Sequence, residues 1–109
     1  YRRDPLVGPV VMLGAGGVLA EVYRDVALRI APVDEGTALA MIDEVKGLAP
    51  ARGYRGLPRG DLAALARMVA AFSQLAWLPE VTEAEINPVI VMPEGQGVVM
   101  ADALLARSG

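Results

Sequence analysis

The residues best placed to do chemistry lie in the stretch EAEINPVIVMPEGQGVVMAD, residues 83 to 102. Glu85 and Asn87 stand two apart, Pro88 follows at once, and Asp102 closes a run that is otherwise apolar strand. Side chains alternate along a strand, so Glu85 and Asn87 share one face while Ile86 and Pro88 share the other. The turn decides what they meet. A four-residue turn sets Asn87 directly opposite Asp102, with Cβ atoms roughly 4.5–5.5 Å apart. A five-residue loop without a bulge sends the two to opposite faces. In the first register an amide oxygen and a carboxylate converge from neighbouring strands. Mg²⁺ prefers hard oxygen donors and completes its shell with water and substrate phosphates, so this pair suits a metal site shared between protein and nucleotide. The plain alternative is that Glu85 and Asn87 sit at an exposed strand end and Asp102 begins a tail.

Composition narrows the chemistry further. The chain has 109 residues, 54% of them apolar, and a formal net charge of −3, which fits one compact domain or a piece of one. Charges of both signs are scattered, which disfavours a nucleic-acid partner. There is no cysteine and no histidine. Disulfides, thiolate nucleophiles and an imidazole base from this chain are therefore excluded. No stretch approaches about 18 uninterrupted apolar residues and the N-terminus is no signal peptide, so no membrane partner and a cytoplasmic location are the default expectation. The start at Tyr1-Arg2-Arg3-Asp4, without Met, reads as a piece of something longer, although tag removal or processing gives the same start.

The elements that must position these residues follow from pattern. PVVML (9–13) ending in GAGG predicts a strand and a glycine turn. Period-two alternation through Val18–Tyr23 and again through Val26–Ala31 predicts two strands broken near Arg24-Asp25. Asp34 is a candidate N-cap for a helix of about three turns whose Ala38, Met41, Ile42 and Val45 form one stripe, failing at Gly47. Residues 46–60 read as a Gly/Pro/Arg loop long enough to suspect a function. Asp61 caps a second helix with Leu62, Leu65, Val69, Phe72 and Ala76 on its buried face, up to Trp77, and Pro79 stops it. Trp77 with Phe72 is expected in the core rather than as a base-stacking platform. A hairpin over Ile86–Met92 and Val98–Ala101 ends the chain. The predicted class is α+β, a mainly antiparallel sheet of about five strands with two helices on one face.

GPVVMLGAGGVLAEVYRDVALRIAP, the GYRG loop and AEINPVIVMPEGQGVVMADALL together resemble the C-terminal part of the ATP-grasp domain of NDP-forming acyl-CoA synthetases. The Glu-x-Asn-Pro pattern followed by Asp is similar to the beta chain of succinyl-CoA synthetase. The resemblance implies that residues 1–109 form a single, partial ATP-grasp C-terminal subdomain, a fragment of a larger protein. It implies an enzyme interconverting acid, CoA and ATP with acyl-CoA, ADP and phosphate, through an acyl phosphate and a phosphorylated histidine. Asn87 and Asp102 then match the holders of Mg²⁺ on ATP or ADP. Glu85 matches the carboxylate that contacts the histidine loop, and so carries the catalytic assignment. Glu21 and Arg29 are weaker nucleotide-binding candidates. Glu21 equally suits an exposed strand, and Arg29 suits pairing with Asp25 or Glu21. The implied partners are a CoA-binding, phosphohistidine-bearing domain or subunit and CoA thioester substrates, with a homo-oligomer as a further possibility. The alternative role is a ligand-sensing, synthetase-like region of a protein acetyltransferase.

Overall fold

The computed structural model describes residues 1–16, 25–53 and 58–108. The strand expected over residues 18–23, with Glu21, and most of the GYRG loop lie outside the described residues. Seven strands are described: β1 (Arg2–Asp4), β2 (Gly8–Gly14), β3 (Val26–Ile30), β4 (Val81–Ile86), β5 (Val89–Val91), β6 (Val98–Met100) and β7 (Ala103–Arg107). The helices α1 (Glu35–Glu44) and α2 (Leu62–Ser73) fall between β3 and β4. Five strands join in the order β3-β2-β1-β4-β7, every pair antiparallel, and β5-β6 form a separate two-stranded ribbon. That is the architecture expected. No helix among the described residues is long and apolar enough to cross a membrane.

Both helices start where their caps predict. The Asp34 side chain accepts from the Thr37 amide and that of Asp61 from the Ala64 amide, each satisfying a donor that the first helical turn leaves free. Ala38, Met41 and Ile42 from α1, Val45 just past its end, and Leu62, Leu65 and Val69 from α2 join Val11, Ala27, Val81 and Ala84 of the sheet in one buried cluster. The core therefore lies between the helices and one sheet face.

Two expectations are corrected, and one alternative falls. Helix α1 stops at Glu44, and Lys46–Arg52 is a 3-10 segment rather than open loop. Trp77 is 72% exposed, not core. The cause is a change of pitch: α2 ends at Ser73 and Gln74–Trp77 continues as a 3-10 turn. Three residues per turn instead of 3.6 rotates Trp77 off the helical stripe, leaving Phe72 half-buried. Asp102 begins no tail, because β7 follows it and pairs along β4.

Candidate functional site

The hairpin tip sets the register. The Gln96 amide donates to the Pro93 carbonyl at 2.9 Å and the Met92 amide to the Gly97 carbonyl at 3.1 Å, so the turn uses four residues. Pairing then runs unbroken in step: Val91 with Val98, Ile90 with Val99, Val89 with Met100, and below them Ile86 with Ala103. Between these ladders the Ala101 amide donates to the Pro88 carbonyl at 3.0 Å and the Asn87 amide to the Asp102 carbonyl at 3.1 Å. Asn87 is thus directly opposite Asp102. Directly opposed residues share a face.

That face is the one the helices leave open. Ala84 is buried and Ile86 half-buried on the covered side, whereas Glu83, Glu85 and Asn87 alternate with them and are exposed. Asp102 is exposed as well, and its Oδ1 accepts from the Ala103 amide at 2.9 Å. Glu85 pairs across the ladder with Leu104, two residue pairs from Asn87–Asp102 and so on the same face. The structure therefore brings Glu85, Asn87 and Asp102 together on one surface.

Hard oxygens of this kind fit Mg²⁺ in type and in number. Among the described residues no group of three or more His, Cys, Asp or Glu could hold a metal. One carboxylate and one amide oxygen leave most of an octahedral shell to water and phosphate, the usual division where Mg²⁺ is bound together with a nucleotide.

Arg29 is not part of this cluster. It lies on β3, alternates with the exposed Leu28 and Ile30, and its guanidinium pairs with Glu44 of α1 on the helix side. Pairing was expected, but with Asp25 or Glu21. The reason is that α1 returns over β3 and brings Glu44 alongside. Arg52 and Arg59 are likewise engaged, with Asp43 at 3.0 Å and Glu94 at 3.3 Å.

One residue has a second task that the sequence concealed. Asp61 caps α2 through Oδ1 and also accepts the Gly97 amide on Oδ2 at 2.8 Å, while its own amide donates to the Met92 carbonyl at 2.8 Å. The Glu94 amide donates to the Arg59 carbonyl beside it, also at 2.8 Å. These bonds clasp the hairpin tip to the start of α2 and so brace the ladder that carries the site. The Gly97 amide, then the Ala64 amide, hold the Asp61 carboxyl below the ordinary aspartate range. No local spacing signals this contact, because its partners are 36 residues apart.

The ATP-grasp domain family matches residues 1–106. The chain is 43% identical over 99 residues to Acetate–CoA ligase [ADP-forming] I of Archaeoglobus fulgidus, covering 90% of this chain and 14% of that protein. It is 38% identical over 104 residues to Acetate–CoA ligase [ADP-forming] I subunit beta of Pyrococcus furiosus, covering 94% of this chain and 45% of that one. Among solved structures, the dinucleotide forming Acetyl-coenzyme A synthetase 1 of Ca. Korarchaeum cryptofilum, in complex with coenzyme A and Mg-AMPPCP, superposes with a TM-score of 0.87. The identity is 37%, over 98% of this chain and 50% of that one. The chain thus spans half or less of the length of each of these proteins.

Proposed function

Because the chain belongs to the ATP-grasp domain family, we propose that it is the Mg²⁺- and nucleotide-holding subdomain of an ADP-forming acyl-CoA synthetase. The observation that carries this reading is Asn87 opposite Asp102 on the uncovered face, reached through a four-residue turn. The synthetase named for Ca. Korarchaeum cryptofilum, which is complexed with Mg-AMPPCP, supports it.

In this reading Asp102 contributes the negative charge that draws the metal and Asn87 a neutral oxygen. The bound ion would offset charge on the transferring phosphoryl group, where positioning and electrostatics supply most of the catalysis. Glu85 orients the imidazole of a histidine and favours its protonated form. With no histidine in this chain, the phosphorylated residue belongs to another segment or subunit of the same enzyme. That the Pyrococcus furiosus relative is a beta subunit supports the arrangement. Glu21 stays a candidate nucleotide contact. Arg29, tied to Glu44 on the other side of the sheet, does not.

A single-turnover phosphorylation assay with labelled ATP, run beside Mg-nucleotide binding on the full-length protein, tests the assignment. Asp102→Ala is expected to slow histidine phosphorylation by about 10²-fold or more, the scale of losing a charge-stabilising group. Asn87→Ala should slow it about tenfold, because only a neutral ligand is removed. Glu85→Ala should leave Mg-nucleotide affinity within about twofold yet stop transfer to the histidine. Wild-type phosphorylation by Asp102→Ala would refute the metal site.

A further inference from the structure

Asn87 and Asp102 sit at a joint between two ladders. Below them β4 and β7 pair within the five-stranded sheet, and above them β5 and β6 pair as a separate ribbon. Val81 and Ala84, both buried in the core, anchor the lower ladder. The ribbon has no such anchor in its own sequence. Val89–Val91 and Val98–Met100 are apolar at every position, so a one-residue slip brings no polar side chain to the wrong face. A two-stranded ribbon is also marginal in stability by itself. Slipped so that Ile90 faces Met100, the ribbon sets Asp102 opposite Pro88 and leaves Asn87 without a partner.

What fixes the register comes from outside the hairpin. Met92 and Gly97 form the rung that closes the four-residue turn, and Asp61 bonds both of them, through its amide to the Met92 carbonyl and through Oδ2 from the Gly97 amide. In the slipped ribbon Met92 faces Val98, and Asp61 no longer meets both members of one rung. Gly60 brings Asp61 this close. Its amide donates to the Ala51 carbonyl at 2.7 Å. A Cβ on it would stand 2.9 Å from Val91 Cγ1 and 3.3 Å from the Ala51 Cβ. Val91 is β-branched and has little freedom to turn aside. The segment therefore passes between the ribbon and the 3-10 segment only because residue 60 lacks a side chain.

We infer that Asp61 and Gly60 select the register of the β5–β6 ribbon and thereby hold Asp102 opposite Asn87. The functional side of this inference rests on the reading proposed above for that pair. Both are positioning residues, placed at the far end of the ribbon from the site. Asp61 supplies bonds to one rung, and Gly60 permits the approach. By linkage, Mg-nucleotide held across Asn87 and Asp102 favours the same register in return.

The test reads the register in the full-length protein through cysteine pairs, with disulfides mapped by mass spectrometry after mild oxidation. Ile90→Cys with Val99→Cys is directly opposed and reports the native register. Ile90→Cys with Met100→Cys lies on opposite faces and bridges only in the slipped one. All three side chains are exposed. Without further changes only the first pair should bridge. In Asp61→Ala and in Gly60→Ala the second should bridge as well, and Mg-ADP added before oxidation should suppress it. In the same two variants without the cysteines, the Mg-ADP dissociation constant should rise about tenfold, the scale of losing a bond to a charged group. Asp34→Ala removes the equivalent cap from α1 and should do neither. Gly60→Ala carries the test if Asp61→Ala does not fold. Absence of the second bridge from both variants would overturn the inference, whatever the affinity. So would a slipped ribbon that keeps wild-type affinity or that Mg-ADP does not suppress. Equal effects in Asp34→Ala would reduce Asp61 to a general stabiliser and overturn it too. If the wild-type protein itself fails to bind Mg-ADP, the proposed function falls, and bridging alone decides whether Asp61 and Gly60 set the register.

Discussion

The two faces of the five-stranded sheet are built from different residues, and the contrast separates folding from function. Toward the helices the strands present Val11, Ala27, Ala31, Val81 and Ala84, all buried. Three of these five are alanines, which let α1 and α2 approach closely enough for Met41, Ile42 and Val45 to fill the layer between. The opposite face carries larger groups and, among the described residues, no helix over it. On β3, Ala27 is 1% exposed while its neighbour Leu28 is 54% exposed. Met12, paired with Leu28, and Ile30, paired with Val10, complete an apolar half of that face. Glu83, Glu85, Asn87 and Asp102 make up a polar half. Uncovered apolar surface of this kind marks an interaction site.

The contrast is broken most directly through stability. Met41→Ala, at a fully buried position, should destabilise the fold by about 2–5 kcal/mol, the usual range for such a truncation. Leu28→Ser on the open face should stay within about 0.5 kcal/mol of wild type, because the side chain is exposed. Urea denaturation of both variants checks this, and equal losses would mean that the open face is also structural.

Self-association gives the second, smaller effect. The exposed Met12, Leu28 and Ile30 should drive association of the isolated chain at high concentration, seen as a concentration-dependent sedimentation coefficient. Leu28→Ser should weaken that dependence. A wild-type chain that remains a strict monomer would show that the apolar half is too small to act alone.

The smallest effect concerns pH on the covered side. Asp61 is 8% exposed, and its carboxyl is held below the ordinary value of 3.8 by the Gly97 and Ala64 amides. A lowered value means the folded state binds its proton less readily than the unfolded chain. Its contribution to stability is therefore present above 3.8 and is lost as pH falls through the lower, folded value. Asp34, capping α1, is shifted in the same direction by the Thr37 amide. Thermal melts between about pH 2 and 6 should fall in temperature at the acid end, and Asp61→Asn should flatten that slope. An unchanged slope in Asp61→Asn would assign the acid sensitivity to other carboxylates.

Local rules in the sequence determined what local forces decide. The caps Asp34 and Asp61 lie within three residues of the amides they satisfy, so the helix starts were legible. Stripes such as Ala38, Met41 and Ile42 recur at helical spacing, so the buried helix faces were legible too. The Glu85, Asn87 and Asp102 cluster was legible as a conditional, since alternation fixes a shared face once the turn length is known. The turn length was not legible. PEGQG contains the elements of a four- or a five-residue loop, and the choice is made where Arg59 and Asp61 grip the tip through bonds to Met92, Glu94 and Gly97. Tertiary packing likewise decided that Trp77 points outward, that Arg29 pairs with Glu44 rather than with Asp25 or Glu21, and that Asp25 reaches 21 residues ahead to Lys46. In each case the partner is distant in sequence, and only the folded chain brings it within bonding range.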